Sequence, residues 1–146
     1  MASVSRLIPV FASKEALLAL IRDQAQRRRF LPDGWTFHRT LTDGTDQVGS
    51  QMEIDAWIGP GPVRQLVQVL AIDENHVVEG PPTADNYVTT WTVAPEGERT
   101  WVQLEMRFQY NDLMGEFFVK RRLRKAFRQA LERLKALAEA QPTAEA

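Results

Sequence analysis

The chain of 146 residues lacks cysteine and holds only two histidines. Without cysteine it has neither a disulfide framework nor a thiolate zinc site, and two separated histidines do not make a metal site. The formal net charge is −1, which argues against a general nucleic-acid binder that relies on neutralising phosphates. We therefore expect no metal and no nucleic-acid partner.

Long hydrophobic runs are also missing. No apolar stretch approaches the roughly 20 residues of a membrane-spanning helix, and the start, MASVSRLIPVFASK, lacks the apolar core of a signal peptide. The length suits one domain with one core, and the composition is ordinary for a globular protein. We expect a soluble, cytoplasmic protein without stable membrane insertion, with a single domain over residues 1–140 and a flexible tail over 141–146.

Catalytic signatures are scarce. The chain has no G-x-S-x-G elbow, no H-E-x-x-H motif and no glycine-rich phosphate loop. His38 shares the parity of Thr36 and Thr40, opposite apolar residues. His76 follows Asn75 in a turn signal. We expect both histidines to face water, and we expect no cofactor.

The longest regular pattern runs from residue 113 to residue 139. Its apolar residues recur at three- and four-residue steps: Val119, Leu123, Phe127, Ala130, Leu134 and Leu137. That is the period of a helix with one buried face. We predict one long amphipathic helix that covers the apolar face of a sheet, because a sheet with one apolar face needs a cover.

The start of the chain predicts a strand followed by a short helix. Residues 3–11 are apolar enough for a strand, and Pro9, which lacks a backbone donor, favours an edge position or an irregularity. Ser13 is a good N-cap for the helix, which Pro32 brings to an end. Three arginines occupy positions 27–29. We interpret them as a solvated helix end rather than as a contact for an anionic partner.

From residue 34 onward, turn signals separate runs of strand length. Two runs alternate, with these residues on the apolar parity: Met52, Ile54, Ala56 and Ile58 in one, and Val102, Leu104, Met106, Phe108 and Tyr110 in the other. Such alternation marks antiparallel strands with one buried face, and short turns indicate a meander. The run 66–72 is apolar on both parities, so its orientation stays open.

Two stretches carry a resemblance to a known family: GERTWVQL at 97–104, like a penultimate turn and last strand, and LRKAFRQALERLK at 123–135, like a closing helix. With the order of elements, they resemble the polyketide cyclase/dehydrase and lipid-transport superfamily, which includes START-related domains. The resemblance implies an α+β helix-grip fold, with a curved antiparallel sheet of about seven strands around a C-terminal helix and one or two short helices after strand one. The family's tryptophan-containing helix is altered here to ALL at 16–18, which leaves the subfamily open.

The resemblance also implies an apolar pocket between the sheet and the closing helix, as ligand sites are mostly apolar with a few placed polar groups. The residues that we expect to line it are Tyr87, Thr89, Trp91, Leu104, Met106, Phe108, Tyr110 and Phe117. The hydroxyls among them either meet a ligand or bond the backbone or solvent. Both alternatives stay open.

The first turns of the long helix break its pattern. Glu116 projects onto the apolar stripe. There it either acts as a general base or holds a polar ligand atom, with a pKa raised by burial, or it stays exposed to water and is favoured by the helix dipole. Phe118 projects near the polar face, where it covers a loop, meets a second subunit in a homodimer or marks a bend. We interpret the basic run at 120–128 as a solvated face with local pairs such as Arg128 with Glu132.

Three functions are compatible with these patterns. The first is binding or transport of a hydrophobic or amphipathic small molecule, which requires no catalytic group. The second is an enzyme of cyclase or dehydratase type that uses Glu116 with Tyr87 or Tyr110. The third is a protein-interaction module that works through the basic helix face and Phe118. We favour the first.

Overall fold

The computed structural model describes residues 2–41, 47–57, 61–82, 87–109 and 113–140. Within these ranges the chain forms seven strands, two α-helices and one 3₁₀ helix. In chain order they are β1 (Ala2–Val10), α1 (Lys14–Arg22), the 3₁₀ helix (Gln24–Arg29), β2 (Thr36–Thr40), β3 (Gln51–Trp57), β4 (Pro62–Ile72), β5 (His76–Gly80), β6 (Tyr87–Glu96), β7 (Arg99–Phe108) and α2 (Leu113–Ala140).

The strands form one antiparallel sheet in the order β1-β7-β6-β5-β4-β3-β2. Strands β2 to β7 follow one another as a meander, and β1 pairs with β7 at the far edge. The predicted edge position of the strand containing Pro9 is therefore confirmed, since that edge needs no amide from proline. With α2 closing the sheet, the predicted helix-grip fold is confirmed as well. No helix in the described ranges has the length and apolarity that crossing a membrane requires.

The register of β4 explains why its run is apolar on both parities. Val67 and Val69 are buried, whereas Leu66 is 37% exposed. The pairing with β5 shifts between Val69 and Ala71, and a bulge of this kind inserts one residue and so changes which parity faces the core. Beyond the shift, Ile72 packs against the core. The change of face therefore explains why Val67 and Val69 before the shift and Ile72 after it all face the core, although they differ in parity. Leu66 is apolar on the outer face of the sheet.

The 3₁₀ helix turns one of the three arginines at 27–29, which we interpreted as solvated, toward the core. Three residues complete one 3₁₀ turn, so Gln24, Arg27 and Phe30 lie on one face. All three are buried, and Arg27 is only 5% exposed. Arg28 and Arg29 are exposed. The interpretation of all three arginines as a solvated helix end was therefore wrong for Arg27.

The buried side chains form two clusters, and the space between them positions the candidate site. The larger cluster joins β1, β5, β6, β7, α1 and α2 with Phe30 and with Val69 of β4. The smaller cluster consists of Met52, Ile54 and Val67 on β3 and β4, and Trp35 packs against both. Helix α2 packs chiefly on β1, so it does not fill the space in front of β3 and β4.

Candidate functional site

A cavity of about 60 Å³ lies between the two clusters. Most of its wall is apolar and comes from β3, β4, β6, β7 and α2, with Met52, Val67, Trp91, Leu104 and Phe127 among the lining residues. The volume holds a few water-sized groups, as one such group occupies about 10–15 Å³. It is smaller than the roughly 300–1,000 Å³ of pockets for drug-sized ligands. A larger ligand therefore requires side chains to move apart.

The polar residues of the wall come from the 3₁₀ helix and from three neighbouring strands. They are Arg27, Gln65, Glu79, Tyr87 and Thr89. Glu79 on β5 pairs directly with Thr89 on β6, so the two share the inner face of the sheet. The cavity is therefore an apolar space with a small group of polar side chains on its wall.

Arg27 and Glu79 form a buried ion pair in this wall. The Arg27 Nη1 donates to Glu79 Oε1 at 2.7 Å, and Nη2 donates to Glu79 Oε2 at 2.8 Å. The second nitrogen also donates to the Ile21 carbonyl at 2.9 Å, and Trp91 Nε1 donates to Glu79 Oε1 at 3.3 Å. Glu79 is 2% exposed. The two-point geometry fixes the orientation of both side chains.

Aromatic rings complete the surroundings of this arginine. The Arg27 guanidinium carbon lies 5.5 Å from the ring centroid of Phe30 and 5.4 Å from that of Trp91. The two rings meet edge to face, with centroids 5.8 Å apart. The Arg27 Nε is buried and has no hydrogen-bond partner among the described residues. One donor of a buried charge therefore stays unsatisfied.

Stability alone is a weak reason to keep such a pair. Removing two charges from water costs several kcal/mol per ion, and well-packed apolar replacements of a buried pair are often neutral or stabilising. Removing only one partner costs about 3–5 kcal/mol, because the other charge stays buried. A buried pair beside a cavity is therefore a candidate for a role in binding.

Tyr87 supplies a neutral donor beside the ion pair. Burial, together with the negative charge of Glu79, raises the pKa of Tyr87 to about 12. Its hydroxyl is therefore protonated across the neutral range. Gly80 permits the close approach of β5 and β6 here, because a Cβ at this position would lie 2.9 Å from the Tyr87 carbonyl oxygen.

The structure brings five of the expected lining residues to the cavity: Tyr87, Thr89, Trp91, Leu104 and Met106. Phe108 is buried but does not line the cavity. It pairs with Ala2 of β1 and belongs to the larger cluster, so its contacts are with the packed core. Tyr110 lies outside the described residues.

The two residues expected from the start of α2 lie away from the cavity. The buried stripe of this helix begins at Val119, so the turns before it carry exposed side chains. Phe117 is 59% exposed and packs edge to face on Phe118, with ring centroids 5.7 Å apart. Glu116 pairs with Lys120, with 3.4 Å between Oε2 and Nζ, and does not line the cavity. The carboxylate at the cavity is Glu79.

Sequence reasoning missed both Arg27 and Glu79, although each leaves a signal. Glu79 shares its parity with Val77 in a short strand whose other residues are largely apolar. Arg27 stands three residues from Gln24 and three from Phe30, the spacing of one 3₁₀ face. Neither signal is strong, because the same residues also fit a solvated turn and a strand end.

Both histidines lie on the surface. His38 Nε2 lies 2.8 Å from Asp55 Oδ2, and His76 Nδ1 lies 2.9 Å from Asp73 Oδ1. Neither histidine lines the cavity. The part of the chain that the structure describes contains no group of three or more metal-ligating side chains.

Comparisons with known proteins agree with this architecture. The KanY protein, solved by NMR, is 24% identical with a TM-score of 0.83, over 95% of this chain and 98% of that chain. A protein from Thermobifida fusca is 16% identical with a TM-score of 0.72, over 92% and 91%. A protein from Thermus thermophilus is 18% identical with a TM-score of 0.65, over 94% and 99%. These likenesses show a shared fold.

The family assignment comes from sequence profiles. No curated protein matches the chain. The profile described as polyketide cyclase / dehydrase and lipid transport matches residues 1–139. Because that match spans nearly the whole chain, the protein belongs to the polyketide cyclase/dehydrase and lipid transport family.

Proposed function

We propose that the protein binds a hydrophobic or amphipathic small molecule in the cavity between the sheet and α2. The observation that carries this proposal is the cavity itself, with its apolar wall and its few convergent polar groups. Ligand sites have this composition because apolar contacts supply affinity while a few polar groups fix orientation. The family description, which includes lipid transport, supports the same class of ligand.

The gap between the two core clusters favours binding over simple packing. Protein interiors are close-packed, and a void among apolar side chains forfeits their contacts. The unfilled space between Val67 and Phe127 therefore costs stability in the free protein. A ligand that fills it regains contact energy at about 25 cal/mol per Å² of buried apolar surface.

One observation favours a second function, an enzyme of cyclase or dehydratase type. Glu79 places a carboxylate at the cavity, where a proton-transfer group would be needed. Both of its oxygens already accept hydrogen bonds from Arg27, and one also accepts from Trp91. This arrangement suits a fixed acceptor better than a free base. We therefore rank binding first.

The test uses variants that fill the cavity. Ala130 is buried on α2 and lines the cavity, whereas Ala136 is exposed on the same helix. Ala130→Leu puts three more carbon atoms into the space, and Ala136→Leu adds the same atoms at the surface. Ala56→Val on β3 is a smaller filling change, in case leucine overpacks the core and costs the typical 1–3 kcal/mol or so.

The measurement is a ¹H–¹⁵N NMR titration with two one-ring probes, ethylbenzene and acetophenone. We expect at least one probe to shift the amides of Val67 and Leu104 in the wild type and in Ala136→Leu. We expect the shifts to disappear in the filling variants. If neither probe shifts these amides in the wild type, or if the filled cavity binds equally well, the proposal is wrong.

A further inference from the structure

The first two turns of α2 expose large apolar side chains to water. Leu113 is 85% exposed and Met114 is 72% exposed, the two highest values among the large apolar side chains of the described residues. Phe117 and Phe118 follow at 59% and 60%. Residues four apart on a helix are neighbours, so these four side chains, which we call the apolar tip, form one surface. Contiguous exposed apolar surfaces mark sites of interaction, whereas single exposed residues do not.

Positive side chains continue the same outward face of α2. A helix completes a turn in about 3.6 residues, so Arg121 lies one turn beyond Phe117, and Lys125 lies one turn beyond Arg121. Both are exposed, as is Arg124, and they lie opposite the buried stripe that begins at Val119. We call Arg121, Arg124 and Lys125 the basic band. The outward face of the helix therefore changes from apolar to basic along its length.

No carboxylate neutralises the basic band. Glu116 pairs with Lys120, and Glu132 pairs with Arg128, each one helical turn away. These are local pairs of the kind expected from the sequence. The three residues of the basic band make no ion pair within the described part of the chain. Because the whole chain has a formal net charge of −1, the band is a local concentration of positive charge and does not reflect a generally basic protein.

An apolar surface next to a basic one fits an anionic lipid bilayer. Helices that lie on membranes bury apolar side chains at the boundary of the acyl chains, while lysine and arginine stay among the headgroups. A second copy of the chain fits less well, because a two-fold contact places the same surface of both copies together and so brings two basic bands near each other. A nucleic acid would match the basic band but would leave the apolar tip in water.

We propose that the outward face of α2 docks reversibly on an anionic lipid bilayer. The apolar tip enters the boundary between the headgroups and the acyl chains, and the basic band contacts the negatively charged headgroups. This docking requires no helix that spans the bilayer, and it does not depend on whether the cavity holds a ligand. Because part of the attraction is electrostatic and acts at the surface, salt weakens it.

The experiment measures co-sedimentation of the whole protein with two kinds of vesicle. One contains equal parts of phosphatidylglycerol and phosphatidylcholine, and the other contains phosphatidylcholine alone. We expect the protein to bind the anionic vesicles at least about tenfold more tightly than the neutral ones. We also expect this binding to weaken as the salt concentration rises. Equal binding to both kinds of vesicle, or binding to neither, would overturn the inference.

A triple variant tests the basic band. It combines Arg121→Gln, Arg124→Gln and Lys125→Gln. The matched control removes three exposed positive charges from the strands of the sheet, with the changes Arg39→Gln, Arg64→Gln and Arg107→Gln. Both variants change the net charge by the same amount. We expect the first to bind anionic vesicles about tenfold more weakly or worse, and the control to stay within about threefold of the wild type. Equal weakening in both would overturn the inference, since net charge alone would then explain the binding.

A single variant tests the apolar tip. Phe118→Asn removes an exposed ring from α2, and the matched control Phe11→Asn removes one that is 61% exposed outside that helix. We expect Phe118→Asn to weaken binding to anionic vesicles at least about threefold, with the control unchanged. Phe117→Asn gives the same test if Phe118→Asn fails to fold, as followed by circular dichroism. Unchanged binding in both α2 variants would overturn the inference. A wild-type dimer that Phe118→Asn dissociates, without vesicle binding, would assign the surface to a second copy instead.

Discussion

Arginine–carboxylate contacts occur in two very different parts of this protein. In the cavity wall, Arg27 donates to Glu79 at 2.7 Å, and their side chains are 6% and 3% exposed. On the outer side of the sheet, Arg39 on β2 donates to Glu53 on β3 at the same distance, with side chains 68% and 20% exposed.

The outer contacts form a small network that also joins β4. Arg64 donates to Asp55 at 2.8 Å, and His38 contacts the other oxygen of the same carboxylate. Water competes with every one of these contacts, so exposed pairs of this kind add little. The same distances in the cavity wall carry a larger desolvation cost and a larger penalty for an unmatched charge. The buried pair and the outer contacts therefore differ in solvent exposure and not in distance.

The largest effect is expected when the buried pair is broken on one side. Glu79→Gln keeps the shape of the side chain but leaves the Arg27 charge buried without its partner. We expect this change to lower the free energy of unfolding by about 3–5 kcal/mol, measured by urea denaturation. The double variant Arg27→Met with Glu79→Leu should recover most of that loss. If Glu79→Gln proves as stable as the wild type, the pair is not buried as described.

Tyr87 provides the next largest effect, through pH. Its pKa is raised to about 12 in the folded state, against about 10 in an unfolded chain. The folded state therefore holds the proton between these values while the unfolded state has lost it. The stability contribution of this group is complete below pH 10 and is lost as the pH rises toward 12. Two pKa units correspond to about 2.7 kcal/mol.

The matched comparison for this prediction is Tyr87→Phe, which removes the titrating group. Unfolding free energies are measured by urea denaturation at pH 9 and near pH 12 for both proteins. We expect the wild type to lose more stability than Tyr87→Phe over this interval, because all other groups titrate in both. Equal losses would show that Tyr87 is not buried near Glu79.

A surface carboxylate provides a control for the buried one. Glu116 on α2 pairs with Lys120 one helical turn away. Because such a pair contributes about 0.3–0.5 kcal/mol, Glu116→Gln should change stability by no more than that. It should leave the binding of acetophenone unchanged, as followed by NMR. Loss of binding in this variant would show that Glu116 takes part in the site and would contradict the assignment of Glu79 as the carboxylate at the cavity.

The smallest effect is expected in the outer network. The hydrogen bond from Arg39 is the main cause that lowers the pKa of Glu53, and His38 and then Arg64 lower that of Asp55. A depressed carboxyl pKa adds stability that is complete above the unfolded value of about 4 and is lost as the pH falls through the folded value. The network should therefore weaken only in acid.

Arg39→Met isolates one contact of that network. We expect the pKa of Glu53 to rise toward its usual range, measured by NMR titration of the side-chain carboxyl. The contribution of this contact is present at pH 7 but small because the pair is exposed, so we expect only a slight loss of stability there. A clear loss of stability at pH 7 would show that the exposed contacts matter as much as the buried pair. In that case the buried pair and the exposed network would not differ in their contribution to stability.

The overall fold was largely predictable from sequence. Apolar residues at helical steps predicted α2, and alternation in the strands around Ile54 and Leu104 predicted antiparallel pairing. Ser13 was predicted to cap α1, and its hydroxyl accepts from the Ala16 amide at 3.0 Å. These features are local and repeat along the chain, so a pattern can reveal them.

The polar residues of the cavity wall were not predictable in the same way. Arg27 and Glu79 are 52 residues apart, and they meet only because a 3₁₀ turn aims the arginine inward over β5. A sequence pattern reports the periodicity of one element, and it does not report which elements meet. The same limit affected the start of α2, where Phe117 was expected at the cavity but is 59% exposed.

A crystal structure of the protein soaked with acetophenone tests whether the cavity admits a small apolar molecule. We expect electron density for the probe between Val67 and Phe127. Density for the probe only at the surface, with the cavity closed by its own side chains, would contradict it.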